Sequence, residues 1–300
     1  MTNRTPAVGV ALGRIWRDGR KIERVAYVAG AVLFLSGLVT AVVLLATGGS
    51  WLGPRSLRKA VTFGLSFGLT LVSVAWATSY VRLRPAPRRS LLGVFAAACV
   101  VEVTLVSAQA WRGVPSHFNF ETGFDTAVSM TLAAGGAVLI LTSLGFTVAA
   151  IADPVVASQS TRLAVRFGLL VLLVALASGA VMIARGVGFA RGADPELAYT
   201  TAGALKPLHA VAMHAILVLP GLAWLLRFSR WPESRRLRIV RLAVGADAVL
   251  TAVVGVESFA GVSPLDAPLV AEVSSAAALA VLVATGAVAL AGLRRGAAAR

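Results

Sequence analysis

The sequence predicts an all-α integral membrane protein, a bundle of about eight transmembrane helices, and three observations carry that expectation. Of its 300 residues 58% are apolar and only 14% are charged, with a mean hydropathy of +0.83; a soluble domain carries about a quarter charged residues. Eight apolar runs reach the roughly 20 residues a helix needs to cross a bilayer core. None of them alternates strictly over about 10 residues, as the strands of a membrane barrel do.

Taken in order, residues 1–24 carry six cations and form a basic, cytoplasmic N-terminal segment. The apolar run that follows is of spanning length and reads as an uncleaved first span. The spans are expected at 25–47, 60–81, 91–111, 126–151, 163–184, 207–226, 239–259 and 267–293. Pro207 suits the first turn of the sixth helix, where its missing N–H is no loss. Pro220 frees the carbonyl of Ile216 and predicts a kink just below His214. With the N terminus inside, the inner segments hold 21 of the 28 Lys and Arg residues and the outer ones 7. The chain is therefore expected to be a multi-pass protein of the bacterial cytoplasmic (inner) membrane with both termini cytoplasmic. Arg55, Arg58 and Lys59 dissent, on an outer loop.

The net charge of +15 lies in short loops between spans, the pattern of orientation and anionic headgroups and not of nucleic-acid binding. The lipid bilayer is the expected partner, with a small-molecule or ion ligand beside it, and no oligomeric state is implied. The single cysteine, Cys99, lies in an apolar run and excludes an intrachain disulfide or a Cys-based metal cluster. The whole chain, 1–300, reads as one polytopic domain. A shift of 148 residues lays Ala75-Trp76 on Ala223-Trp224, Gln109 on Glu257, Trp111 on Phe259 and Gly113-Val114 on Gly261-Val262. That offset suggests two four-helix halves in parallel orientation, 25–151 and 163–293.

Polar chemistry concentrates in 109–125, QAWRGVPSHFNFETGFD, between the third and fourth spans. Trp111 and Phe118 suit the membrane boundary, while Gln109, Arg112, Ser116, His117, Asn119, Glu121 and Asp125 can bind protons, anions or a metal. A second polar loop, 185–206, has no spanning run and is expected to form a surface helix or a lid. Within the spans, ionisable groups cost at least about 2.5 to 3.5 kcal/mol each at mid-bilayer and are seldom left facing lipid. Glu102 falls roughly 14 Å below the end of the third run, Glu257 near the end of the seventh and Glu272 roughly 8 Å into the eighth. Asp247 lies deeper, toward the cytoplasm. Glu102 and Glu272 are expected to face the bundle interior, with Arg112 the nearest cation by depth. All three histidines, His117, His209 and His214, fall in the same outer zone. His209 and His214 differ by five positions, about 140° on a helix, so they do not chelate one metal as an i, i+4 pair would.

The run QAWRGVPSHFN at 109–119, followed by HAVAMHAILVLP at 209–220, resembles a group of uncharacterised bacterial polytopic membrane proteins with a Q-x-x-R-G-x-x-S-H-F-N motif. The resemblance implies that the two stretches belong together, and it supplies no activity. Walker, H-E-x-x-H, C-x-x-C-H and G-x-S-x-G motifs are absent. Three functions stay open. One is ligand binding or proton-coupled transport through an outward-facing site of Gln109, Arg112, Ser116, His117, Asn119, Glu102, His209, His214, Glu257 and Glu272. Another is a haem or divalent-metal site in which His117 and one of His209 or His214 are ligands. The third is a non-catalytic membrane partner or sensor. Four membrane acids exceed what one cofactor requires, which favours the first.

Overall fold

The computed structural model describes residues 8–53, 55–152, 157–192, 198, 202–263 and 266–298. Among the described residues the regular structure is all helical, with no strand. A short α1 (Val8–Arg17) precedes α2 (Lys21–Ala46), α3 (Arg58–Ser79), α4 (Pro85–Trp111), α5 (Gly123–Ala152), α6 (Gln159–Ala190), α7 (Lys206–Leu226), α8 (Glu233–Ala260) and α9 (Leu269–Ala298). A 3-10 turn at Ala202–Leu205 leads into α7. Eight of these helices, α2 to α9, are long and apolar enough to cross a membrane, so the chain is a polytopic membrane protein with one span for each expected apolar run. Their outward residues are apolar, as with Val32, Leu35, Val39 and Val42 along α2. Such a continuous exposed stripe belongs against lipid.

Helix ends follow local chemistry. Pro85 opens α4 and Pro207 lies in the first turn of α7, while Pro232 caps α8 before Glu233. Pro220 lies inside α7 as expected. The expected 185–206 loop is corrected in its first part: α6 runs on to Ala190, because Arg185 to Ala190 contain no helix breaker that the helix cannot carry. The last part is the 3-10 turn, and 193–197 and 199–201 lie outside the described residues.

Packing is tightest between α2 and α3, where Gly30 and Gly37 face Gly68 and Gly64. A Cβ on Gly37 would stand 2.7 Å from the Leu65 amide nitrogen, and one on Gly68 would stand 2.6 Å from the Gly30 carbonyl oxygen. The two backbones touch, as small residues allow in membrane helix pairs. One apolar cluster joins α2 to α6 around Leu71, Phe95, Phe146 and Leu169. A second joins α6, α7 and α8 around Ala175, Leu219 and Val240. Helices α3 and α7 lie against each other between them. The 109–125 segment connects the end of α4 to the start of α5, on the loop face of the bundle. The opposite, basic face carries α1 and the starts of α2, α4 and α8.

Candidate functional site

The 109–125 segment begins with a sharp helix stop. Gly113 adopts φ 71°, the Gly113 amide donates to the Ala110 carbonyl at 3.1 Å and the Val114 amide to the Gln109 carbonyl at 3.1 Å. The chain then turns back into the bundle, so that Ser116 and Asn119 are buried. Phe118 holds φ 62°, a left-handed conformation that is strained for a bulky residue. Its ring lies against Gly186 of α6 so closely that any Cβ there would overlap it.

Asp125 organises the first of the separate polar groups. It accepts from Gln109 Nε2 at 2.8 Å, from Arg112 Nη1 at 2.8 Å and from Thr122 Oγ1 at 2.6 Å. Thr122 Oγ1 in turn accepts from the Asp125 amide at 3.1 Å, a reciprocal cap on the first turn of α5. Arg112 also donates to Gln109 Oε1, and its guanidinium lies 4.9 Å from the centre of the Phe124 ring. The carboxylate is thus fully engaged in tying the end of α4 to the start of α5. Arg112, the nearest cation to Glu102 by depth, is thus taken by Asp125, because the loop returns that carboxylate to the end of α4.

His117 lies deeper. Its Nδ1 is 3.0 Å from Ser116 Oγ, and its ring stands 5.6 Å from Phe63 of α3 and 6.0 Å from Phe118. Burial, followed by the positive charge of Lys59, pushes the His117 pKa down to about 3, so the imidazole is neutral at physiological pH. Asn119 makes a two-way backbone exchange with Ser129, its amide donating to Ser129 Oγ at 3.2 Å and its carbonyl accepting from that hydroxyl at 3.0 Å. Asn119 Oδ1 accepts from the Glu121 amide at 3.1 Å. Among the described residues its buried Nδ2 has no partner, a donor that a bound group could satisfy.

The other two histidines keep different company. His209 Nδ1 is 2.7 Å from the Ala175 carbonyl of α6; a carbonyl only accepts, so Nδ1 carries the proton and Nε2 is left as the base. His214 Nδ1 bonds the Ala210 carbonyl one turn back at 2.6 Å. His214 is exposed and lines a cavity of about 20 Å³ with Ser66, Thr70 and Ser73 of α3, about enough for one water. On α6, His209 rests against Gly179 and Phe118 against Gly186, two turns or roughly 10 Å apart along the helix axis. The three histidines therefore do not share a set of neighbours.

The acids divide in the same way. Glu102 is 4% exposed, its carboxyl presses on Gly135 of α5, and it makes no ion pair or hydrogen bond among the described residues. Asp247 is 4% and Glu257 7% exposed, and among the described residues Asp247 Oδ2 and Glu257 Oε1 are buried without partners, as is Thr251 Oγ1 one turn from Asp247. Glu272 is corrected: it is exposed and lies in the first turn of α9, where a carboxylate is stabilised by the helix dipole and has no reason to turn inward.

Sequence reasoning missed a buried ion pair on the basic face. Arg88, 2% exposed, meets Glu23, also 2% exposed, at 3.2 Å and donates to the Thr78 carbonyl at 2.9 Å. The one signal was an acid, Glu23, at the junction of the basic segment, which also holds Asp18, and the first apolar run. Among the described residues no group of three or more His, Cys, Asp or Glu could hold a metal ion. Comparison with protein-family models, with curated proteins and with solved structures finds no match.

Proposed function

We propose that this polytopic membrane protein couples proton exchange to the binding or transport of a small ligand. The observation that carries the reading is the set of three carboxyls, Glu102, Asp247 and Glu257, buried within spans and, among the described residues, in no ion pair, with Asp247 Oδ2 and Glu257 Oε1 lacking a donor. A carboxyl in an apolar slab with no cation beside it is stable only in its neutral form. In this reading Glu102 and Asp247 take up and release the proton as water or a cation reaches them. Retained membrane acids of this kind mark proton or substrate pathways.

In this reading His117 and Asn119 meet the ligand on the loop face, with the neutral imidazole and the unpartnered Nδ2 as its contacts, and His209 Nε2 and His214 serve as bases further in. The Gln109, Arg112 and Asp125 group has a packing role, since its bonds are already made. The cation split of 21 to 7 supports cytoplasmic termini in a bacterial inner membrane, with the loop face outward. The haem or metal reading has weaker support, because His117, His209 and His214 are engaged by different elements.

The 148-residue offset supports two repeat halves. It lays α3 on α7 and α4 on α8 nearly end to end, and Gly261 stops α8 with φ 75° and a Val262 amide to Glu257 carbonyl bond of 2.9 Å, as Gly113 stops α4.

The test is proton flux into proteoliposomes under an imposed pH gradient, read by an entrapped pH dye. Flux above that of protein-free vesicles, lowered at least about tenfold in Glu102→Gln or Asp247→Asn with folding intact, is expected. Equal flux in the variants would contradict the reading.

A further inference from the structure

A cavity of about 420 Å³ opens on the basic face, where α1 roofs the start of α2 and the far ends of α3 and α7. Its size falls within the roughly 300 to 1,000 Å³ of small-ligand sites. One wall is a chain of edge-to-face rings: Tyr80 to Trp76 at 5.9 Å, Trp76 to Trp224 at 6.2 Å and Trp224 to Phe228 at 4.9 Å. Tyr and Trp favour the level of the headgroups, where one end of the ring is apolar and the other wet.

The charges on the lining do not balance. Arg14, Arg20 and Arg227 face Asp18 and Glu23, but Glu23 is already engaged by Arg20 at 2.8 Å and by Arg88 from behind the wall at 3.2 Å. Asp18 is then the remaining acid of the lining for Arg14 and Arg227, neither of which makes an ion pair among the described residues, and Arg227 also bonds the Tyr80 hydroxyl. The site has a positive excess beside an aromatic wall. It fits an anion with an apolar body, and a bare inorganic anion would leave the rings unused.

The roof fixes the depth. Helix α1 has no buried residue, and Val10, Leu12 and Trp16 are 46%, 55% and 48% exposed, while Arg14 and Arg17 supply cations near its end. A short amphipathic helix of this kind lies in the membrane interface, with its apolar side among the upper acyl chains. Gly19 makes the joint to α2 close, since a Cβ there would stand 2.7 Å from the Ile15 carbonyl oxygen. The roof is thus held down over the cavity at headgroup level.

We propose that this cavity binds the phosphate headgroup of an anionic phospholipid, with its phosphodiester between Arg14 and Arg227 and its glycerol and upper acyl chains along the Trp76 and Trp224 wall. The test is native mass spectrometry of the full chain released from bilayer discs of equal phosphatidylglycerol and phosphatidylcholine. One phosphatidylglycerol is expected to stay bound per chain, in preference to phosphatidylcholine. The double variant Arg14→Gln/Arg227→Gln should lower that retention at least about tenfold, because charge-assisted bonds are lost, with the thermal midpoint unchanged. Arg227→Lys, which keeps the charge, should retain the lipid and guards against an effect of folding. Equal retention of the two lipids, or full retention by the double variant, would overturn the proposal. Displacement of the lipid by soluble glycerol phosphate at equal concentration would overturn it too, and would assign the site to a water-soluble phosphate ester.

Discussion

Trp76 and Trp224 stand 148 positions apart in the chain and meet edge to face, with ring centroids 6.2 Å apart and planes at 87°. They occupy matching positions near the ends of α3 and α7, the two helices in contact between the apolar clusters. Edge-to-face aromatic pairs contribute about 0.5 to 1.5 kcal/mol beyond buried area. A double-mutant cycle of Trp76→Ala and Trp224→Ala, followed by unfolding in detergent, should give a coupling energy of about 1 kcal/mol. Additive effects would mean that the rings are neighbours without being partners.

Removing Asp125 should be costly, because its carboxylate is the acceptor shared by Gln109, Arg112 and Thr122. Breaking a fully buried pair costs about 3 to 5 kcal/mol, but Arg112 is 44% exposed and can turn to water. Asp125→Ala should therefore destabilise by about 1 to 3 kcal/mol, with Asp125→Asn milder. The buried Glu23 and Arg88 pair has no such escape, and Glu23→Ala should cost about 3 to 5 kcal/mol. Thermal unfolding of the three variants checks the order.

The eight spans were legible because spanning length and apolarity act locally, and each run could be read without its neighbours. The 109–125 segment was legible as polar, yet its division was not. Nothing in the order of residues says that Arg112 turns to Asp125 and leaves Glu102 alone, since that depends on where the loop returns. Glu272 was misread because the side of α9 that meets its neighbours is set by packing, and Glu272 falls on the exposed side. The cavity on the basic face was invisible for a related reason. Trp76 and Trp224 appeared only as a repeat coincidence, and Arg14 only as part of a basic prelude, until packing brought them together.

His117 predicts a pH dependence with a definite sign. Its pKa is about 3 in the folded chain against about 6.5 when unfolded, so between these values the unfolded state binds one more proton. Stability is fully present above pH 6.5 and falls as pH drops toward 3, by up to about 1.4 kcal/mol per pH unit. Among charged groups, Lys59 acts on the ring and works in the same direction. His117→Gln should flatten this slope, measured as the thermal midpoint from pH 7 to pH 4. A wild-type slope that survives in the variant would place the titration elsewhere.

Gly186 is required by the Phe118 ring, which fills the place of any side chain there. Gly186→Ala should displace the 109–125 segment from α6 and destabilise by about 1 to 3 kcal/mol, as overpacking does. Faster proteolysis within that segment is the expected sign, and an unaltered cleavage rate would mean that the ring moves aside freely.

The proposed proton exchange rests on Glu102 and Asp247, carboxyls buried within spans. A hydrophobic carbodiimide reacts with protonated carboxyls in apolar surroundings, and peptide mass mapping locates the adduct. Adducts are expected on Glu102 and Asp247 that decline as pH rises, with exposed Glu272 left unmodified. Labelling of Glu272 alone, or none on Glu102 and Asp247 at any pH in the folded protein, would contradict the proposed exchange.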